Sequence, residues 1–233
     1  MADSVRISHF SDILCVWAYV SQIRLDELKA QQGDKVDIGY HFINLFGCSA
    51  ERIGEGWRDR GGYAGFGDHV LEVCGGFPHI EVGPEVWRSA TPASSGMSHL
   101  FLKAIQLVEE RGEISAESSP QCKDRSLSEE AAWRVRLAFF RDVRDIAQLS
   151  VLMEVAEQLS LPVASIEEKL RNGEAMAALC RDLELKDIHR VEGSPTYLLN
   201  EGRQRLYGNV GYRIIEANVV ELLDQPEGQA SWC

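Results

Sequence analysis

A single cysteine stands where a short apolar segment gives way to a helical pattern, and this junction constrains the fold more than any other feature of the chain. The segment Val5–Phe10 is apolar-rich and partly β-branched, which predicts a strand. After Cys15, apolar residues recur at helical spacing as far as Gly33, a residue typical of a helix end. The two patterns place Cys15 at the amino end of a first helix.

A thiol in that position has unusual surroundings. Unpaired backbone N–H groups and the positive end of the helix dipole stabilise an anion there. Such surroundings can lower a cysteine pKa from about 8.5 into the range of about 3.5 to 7.5. Cys15 is therefore a candidate nucleophile, the alternative being a small buried apolar side chain. The nearby Asp12 would oppose a low thiol pKa if it lay close, or could cap the helix.

Charge and hydropathy restrict the partners. The chain has 233 residues, with 24 basic and 36 acidic side chains and a formal net charge of −12. This charge argues against nucleic acid or an anionic membrane surface as a partner, because both require a basic face. We find no apolar run long enough to span a bilayer and no secretory signal pattern at residues 1–6. We therefore expect a cytoplasmic protein.

The cysteines are scattered along the chain without CxxC spacing. In a reducing compartment such a set is most simply read as free thiols. His69, Cys74 and His79 are evenly spaced but lack the tight pairing of structural zinc motifs, so we predict no metal site. The six cysteines are Cys15, Cys48, Cys74, Cys122, Cys180 and Cys233.

The element order is predicted from the remaining patterns. Val36–Ile43 is a second strand, which together with the first strand and helix suggests a parallel βαβ unit. Residues 48–96 are rich in glycine and turn signals, so we predict an irregular segment with short helices and no strand. Such a segment inside a compact domain often covers a site.

Helical periodicity begins at Ser98 and continues through several segments to Leu185. Ser165–Glu168 has the form of a capping box. Two short strands follow, Thr196–Leu199 and Gln204–Tyr207, joined by a turn of hairpin type. A last apolar helical face precedes a carboxy-terminal tail. The predicted order is strand, helix, strand, helical block, hairpin and helix.

The second signature is Gly193-Ser194-Pro195-Thr196, directly before the third predicted strand. An X–Pro bond is cis in only about 5 to 6% of folded cases, usually as a tight structural feature. With Cys15 and the terminal hairpin, this loop makes the chain resemble the DsbA-like branch of the thioredoxin-fold superfamily, including the FrnE-type oxidoreductases. More distantly it is similar to kappa-class glutathione transferases and 2-hydroxychromene-2-carboxylate isomerases.

The resemblance covers nearly the whole chain and implies a fold of the α/β class. It implies a thioredoxin fold interrupted by a helical insertion. The thioredoxin-like domain would comprise residues 1–47 and 190–225, and the helical insertion domain residues 48–189.

The resemblance also assigns site residues. The family's first active-site cysteine falls on Cys15, its cis-proline on Pro195 and its second cysteine on Ala18. Pro195 would lie against Cys15, and Trp17, Ser194 and Pro195 would contact the substrate. Alanine cannot attack sulfur, so the dithiol cycle of the family is in doubt.

Three functions are compatible with this pattern. In the first, which we favour, Cys15 is the catalytic residue of a DsbA-like oxidoreductase, and glutathione or another external thiol completes the cycle. The second is a glutathione-dependent transferase or isomerase of small organic substrates. The third is a redox-inactive binding protein. We expect no tightly bound cofactor, small thiols or disulfides and protein thiols as partners, and a homodimer as a further option.

Other residues are weaker candidates. His9 and His41 lie on predicted strands and could reach the site as bases, although strand histidines are more often structural. The aromatic residues of the glycine-rich segment either line a substrate cleft or form a satellite core. Another cysteine could replace the missing partner of Cys15 if its Cα came within about 7 Å. These aromatic residues are Trp57, Tyr63, Phe66, Phe77 and Trp87, and the candidate cysteines are Cys48, Cys74, Cys122 and Cys180.

Overall fold

A computed structural model of the protein describes residues 4–114, 125–224 and 231. Its centre is a four-stranded mixed sheet in the order β2-β1-β3-β4. Strand β1 pairs in parallel with β2 and antiparallel with β3, and β4 pairs antiparallel with β3. The strands are β1 (Val5–Ser11), β2 (Val36–Phe42), β3 (Thr196–Leu199) and β4 (Gln204–Tyr207).

The first helix, α1 (Val16–Gln32), connects β1 to β2, as the parallel βαβ pattern predicts. It ends at Gly33, which has a φ of 53° and donates its backbone N–H to the carbonyl of Lys29. A positive φ carries little steric cost for glycine, because glycine has no Cβ. The stop signal that the sequence indicated is therefore the observed helix end.

In the described residues, six α-helices lie between β2 and β3, and another helix follows the hairpin. The prediction for residues 48–96 was wrong in one respect, because this segment contains a full helix of 14 residues. The helices are α2 (Gly62–Gly75), α3 (Gly96–Glu110), α4 (Leu127–Phe140), α5 (Leu149–Gln158), α6 (Val163–Arg171), α7 (Glu174–Ile188) and α8 (Tyr212–Asp224).

The glycines of α2, which made this helix unpredictable from the sequence, are required by close packing. A Cβ on Gly65 would lie 1.7 Å from the carbonyl oxygen of Arg60, and a Cβ on Gly67 would lie 2.7 Å from that of Val86. Both distances are too short for any side chain. Tertiary contacts therefore explain why α2 contains glycine, a residue of low intrinsic helix propensity, at these two positions. Before α2, the chain makes a π-helical turn (Ala50–Glu55) and a 3₁₀ turn (Arg58–Arg60).

The predicted capping box at Ser165 was also wrong. Ser165 lies inside α6, which begins after Pro162. The reciprocal hydrogen bonds of a capping box occur instead at α4, where the Ser126 side chain accepts from the backbone of Glu129 and the Glu129 carboxylate accepts from the backbone of Ser126. The same local pattern fits both places, and chain geometry decides which helix begins there.

Helices cover both faces of the sheet. Alternate residues of β1 point to opposite faces. Val5 and Ile7 pack with α8 and the second half of α1, whereas Phe10 packs in a separate cluster with Leu185 of α7. The largest hydrophobic cluster joins the first half of α1 to helices α2–α7, so the core continues across the boundary predicted at residue 47. The amino end of α1 is thereby enclosed between the sheet and the helical block.

Candidate active site

Cys15 occupies the position between the end of β1 and the start of α1. Its backbone is extended, its N–H donates to the carbonyl of Asp12 at 3.1 Å, and its carbonyl accepts from Tyr19 at 3.0 Å. The thiol donates to the carbonyl oxygen of Ser194 at 3.2 Å. Only 6% of the Cys15 surface is exposed. The structure therefore brings Cys15 and Ser194 together.

The loop before β3 lies against this turn. The Ser194–Pro195 peptide bond is cis. The Ser194 hydroxyl oxygen accepts the backbone N–H of Asp12 at 3.0 Å, and the Thr196 hydroxyl donates to the Gly193 carbonyl at 2.8 Å. Hydrogen bonds therefore fix both the position of Ser194 and the conformation of its loop.

Asp12 organises the turn from inside the protein. Its fully buried carboxylate accepts three hydrogen bonds: from the backbone of Leu14 at 2.9 Å, from the backbone of Phe46 at 2.8 Å and from the hydroxyl of Ser95 at 2.9 Å. Asp12 is not the capping residue of α1, since Cys15 holds that position without a side-chain cap. It instead ties the turn to the segment after β2 and to the start of α3.

His99 was not a sequence candidate, although it contacts the same turn. Its Nε2 accepts the backbone N–H of Ile13 at 3.1 Å, so its proton is on Nδ1 and is donated to the Asn44 side-chain oxygen at 2.9 Å. Burial lowers the pKa of His99, which agrees with a neutral ring. No local signal marks this histidine, because its partners are distant in the chain.

Burial decides the acidity of the Cys15 thiol. It raises the pKa of Cys15 above the ordinary thiol value, and the charge of Asp12 acts in the same direction. The Ser194 side chain and the backbone N–H groups of Ala18 and Trp17 act to lower this pKa, but they do not overcome burial. The expectation of a lowered pKa at the helix start was therefore wrong for the free protein.

A cavity of about 440 Å³ opens beside Cys15. Three of the four predicted site residues line it, namely Cys15, Trp17 and Ser194, while Pro195 does not. The wall also contains residues from the segment after β2, from the helical block and from β4. They are Val16, Leu45, Phe46, Arg52, Gly56, Trp57, Arg60, Phe66, His69, Glu192, Gly193 and Tyr207.

Two arginines on this wall were missed by sequence reasoning. The Arg60 guanidinium carbon lies 3.8 Å from the centroid of the Trp57 ring, and that of Arg52 lies 5.1 Å from the centroid of Phe46. Both distances are within the range of a cation–π contact. The sequence signal that could have indicated them is an arginine-rich stretch beside a tryptophan. This signal is not specific, because exposed turns often have the same composition.

A third arginine lies behind the turn. Arg136 of α4 is 2% exposed and donates to the side-chain oxygens of Gln22 and Ser11, each at 3.1 Å. Within the described ranges it forms no ion pair. Burial lowers the pKa of Arg136, and its interaction with the Cys15 thiolate acts in the opposite direction. A positive charge is thus buried within electrostatic reach of Cys15.

Neither strand histidine lines the cavity. His9 is buried, and burial lowers its pKa to about 3. His41 contacts the Asp182 carboxylate at 2.9 Å. The aromatic candidates divide between both alternatives: Trp57 and Phe66 line the cavity, whereas Trp87 is fully buried in the core. Tyr63 and Phe77 are partly buried against that core.

No second described cysteine reaches the cavity wall. Cys48 and Cys180 are exposed and Cys74 is buried, and all three are free thiols. Cys122 and Cys233 lie outside the described residues. Among the residues that the structure describes, no group of histidine, cysteine and carboxylate side chains could hold a metal ion, and no helix is long and apolar enough to cross a membrane.

Solved structures share this architecture. A probable DsbA oxidoreductase from Streptomyces coelicolor is 17% identical with a TM-score of 0.68, and the match covers 98% of this chain and 93% of that chain. The cytosolic disulfide reductase DsbM from Pseudomonas aeruginosa is 18% identical with a TM-score of 0.64, covering 93% of this chain and 99% of that chain. A 2-hydroxychromene-2-carboxylate isomerase is 16% identical with a TM-score of 0.59, covering 97% and 100%.

No protein-family model and no curated protein matches the sequence. At these identities the solved structures show the fold. The chain has the DsbA-like thioredoxin fold with helices inserted between β2 and β3, and this prediction is confirmed.

Proposed function

We propose that this protein is a thiol–disulfide oxidoreductase in which Cys15 alone forms the mixed disulfide and glutathione supplies the second thiol. The main support is the position of Cys15 at the start of α1, with its sulfur 3.2 Å from the Ser194 carbonyl and on a cavity whose described lining contains no other thiol. The DsbM structure solved with GSH supports glutathione as the co-substrate.

The reaction follows thiol–disulfide exchange. The Cys15 thiolate attacks the glutathionyl sulfur of a mixed disulfide, a Cys15–glutathione disulfide forms, and the other thiolate leaves and takes up a proton. A glutathione thiolate then attacks the glutathionyl sulfur, glutathione disulfide leaves, and the Cys15 thiolate is restored. Overall, one mixed disulfide and one glutathione thiol give one free thiol and one glutathione disulfide. The attacking glutathione replaces the second thiol that Ala18 cannot supply.

The surroundings of Cys15 set the rate of the first step. The thiolate is the attacking form. The backbone N–H groups of Trp17 and Ala18 and the Ser194 side chain favour it, whereas burial and Asp12 oppose it. Since the pKa is raised overall, little thiolate is present at neutral pH, and the exchange rate should increase with pH.

We place the protein in the cytoplasm, where glutathione keeps thiols reduced. The cytosolic location stated for DsbM supports this proposal. The two domain ranges and the homodimer also remain proposals.

Mass spectrometry tests the proposal. After incubation with glutathione disulfide, peptide mapping should locate one glutathionyl group on Cys15, and Cys15→Ala should remove it. Cys48→Ala and Cys180→Ala are matched controls, because both thiols are exposed and lie outside the cavity wall. Absence of the Cys15 adduct in wild-type protein across neutral and alkaline pH would contradict the proposal.

One observation favours a second candidate, a glutathione-dependent isomerase or transferase. The Cys15 thiol is a hydrogen-bond donor in the structure, and burial keeps its proton in place. Such a thiol could donate to a bound glutathione thiolate without forming a disulfide.

Cys15→Ser separates the two functions, because a hydroxyl retains the donor but cannot form a disulfide. Loss of the adduct with retained isomerase or transferase activity would favour this candidate. Absence of both reactions in wild-type protein would favour a redox-inactive binding protein.

A further inference from the structure

The cavity beside Cys15 has a positively charged side, formed by the two helical turns that precede α2. We propose that Arg52 and Arg60 form an anion subsite that binds a carboxylate of a peptide-sized thiol or disulfide, with Glu192 receiving its ammonium group. The inference rests on the proposed function and specifies its substrate class: small disulfides with carboxylate groups, above all glutathione mixed disulfides.

Aromatic rings hold the two guanidinium groups in place. Arg60 lies 3.8 Å above Trp57 and Arg52 lies 5.1 Å above Phe46, and all four residues line the cavity. Stacking on a ring face occupies the flat side of a guanidinium and leaves its N–H edge free. That edge presents paired donors in the geometry that a carboxylate accepts. The two side chains are therefore preorganised for an anionic ligand.

The N–H donors of these arginines are not used by any residue that the structure describes. In the part of the chain that the structure describes, neither Arg52 nor Arg60 makes a side-chain hydrogen bond or an ion pair, although both are exposed. Neighbouring arginines differ: Arg58 pairs with Glu55 and Arg88 pairs with Asp68. Arg58 and Arg88 do not line the cavity. Arg52 and Arg60 thus face the candidate ligand site with free donors, whereas these two paired neighbours lie outside it.

The charge of the cavity is opposite in sign to the charge of the chain. Two arginines and one glutamate line the cavity, an excess of one positive charge, whereas the whole protein has a formal charge of −12. The arginines attract anions into the cavity, whereas the net negative charge of the remaining surface repels them. Anions are therefore directed to this site. Cationic disulfides should therefore be poor ligands at this site, and anionic ones should be favoured.

The arrangement also suits the ends of glutathione. Glutathione has two carboxylates and one ammonium group, which match two guanidinium groups and the Glu192 carboxylate. Glu192 directly precedes Gly193 and Ser194, so the anionic group lies on the loop that contacts Cys15. A cavity of about 440 Å³ is within the usual range of about 300 to 1,000 Å³ for small-molecule sites. Anchoring the ends of the ligand would present the glutathionyl sulfur to Cys15.

Rates of Cys15 adduct formation test the subsite. The probes are glutathione disulfide, the same disulfide esterified on its carboxylates, neutral hydroxyethyl disulfide and cationic cystamine. Wild type should react fastest with glutathione disulfide, and the double variant Arg52→Gln/Arg60→Gln should react with it about tenfold more slowly than wild type. The rate of the double variant with hydroxyethyl disulfide should stay within about twofold of the wild-type rate. Arg58→Gln is the matched control and should behave as wild type with every probe.

The ester completes a double-mutant cycle. Esterification should slow wild type by the same factor as the arginine substitutions, and the double variant should lose nothing further with the ester. Higher ionic strength should reduce the preference for glutathione disulfide in wild type. Equal thermal midpoints for the three proteins would show that the fold is unaffected.

The outcomes separate this inference from the proposed function. If wild type reacts equally well with the ester, or if the double variant keeps the preference for glutathione disulfide, the anion subsite is wrong while the Cys15 chemistry stands. If no probe forms a Cys15 adduct, the proposed function is wrong. In that case, calorimetric binding of glutathione to Cys15→Ala still tests the subsite, because binding must weaken when Arg52 and Arg60 are replaced.

Discussion

The two sides of the cavity are built in opposite ways. On the sheet side, the turn Ser11–Ala18 and the loop 193–196 bury their polar groups and bond them to one another. On the opposite side, in the two turns before α2, Arg52 and Arg60 are exposed, stack on aromatic rings and have N–H donors that no described residue uses. The first side fixes the position of a sulfur atom, and the second side presents groups to a ligand.

The difference indicates that chemistry and selectivity are separable in this fold. A buried polar network is expensive to disrupt, because each lost partner leaves another group unsatisfied away from water. An exposed arginine has little influence on stability. Substitutions on the sheet side should therefore reduce the free energy of unfolding, whereas those on the opposite side should mainly change substrate preference.

The largest expected effect is a loss of stability in acid, through His9, which is buried in β1. Burial lowers the pKa of His9 from 6.5 to about 3, so between these values the unfolded chain binds a proton that the folded protein does not. The contribution of neutral His9 to the free energy of unfolding is fully present above pH 6.5. It should decrease by about 4 kcal/mol as the pH falls to 3. Urea unfolding of wild type and His9→Phe across this range checks it. The variant should show a smaller decline, with a residual contribution from buried His99, and equal declines would contradict the prediction.

Asp12→Ala should be the most destabilising single substitution in the turn. It leaves the N–H groups of Leu14 and Phe46 and the Ser95 hydroxyl without their acceptor, at a cost of about 3 kcal/mol or more in the free energy of unfolding. Arg52→Gln is the control, because this exposed side chain on the opposite side of the cavity should change the free energy of unfolding by about 0.5 kcal/mol or less. Similar urea midpoints for both variants would remove the distinction between the two sides.

Gly65→Ala probes the packing that supports the arginine side. The new Cβ would lie 1.7 Å from the carbonyl oxygen of Arg60, so the 3₁₀ turn must move, at a cost of about 2 kcal/mol. Gly75→Ala in the same helix is the control, since nothing lies within 4 Å of its Cβ position. Thermal unfolding and the rate with glutathione disulfide measure the two consequences. If Gly65→Ala reacts more slowly with glutathione disulfide but normally with hydroxyethyl disulfide, the packing of α2 contributes to substrate selectivity.

The smallest effect concerns the acidity of Cys15. The charge of Asp12 raises the pKa of Cys15, so Asp12→Asn should lower this pKa and accelerate alkylation at neutral pH. Arg136→Met removes a positive charge that interacts favourably with the Cys15 thiolate, so it should raise the pKa and slow alkylation. Iodoacetamide rates measured against pH check both signs. Shifts of the same sign in both variants would contradict the electrostatic account.

Much of the fold could be predicted from local patterns, because each element depends on residues close in sequence. The apolar segment before Cys15, the glycine at the end of α1 and the hairpin at Asn200–Arg203 are local signals, and the structure shows the corresponding elements. Helix α2 could not be predicted in this way. Its glycines have low helix propensity, and the close approach that requires them is visible only after folding.

By itself, the sequence determined the DsbA-like thioredoxin fold, the place of Cys15 at the start of a helix and the absence of a second thiol at position 18, where the chain has alanine. The tertiary structure decided the acidity of Cys15 and the composition of its cavity. Burial, which reverses the effect expected of a helix start, depends on packing by the whole chain. The cavity joins residues from five parts of the chain: the Cys15 turn, the segment after β2, α2, the Ser194 loop and β4. No local pattern shows that Arg52 and Arg60 come to lie beside Cys15.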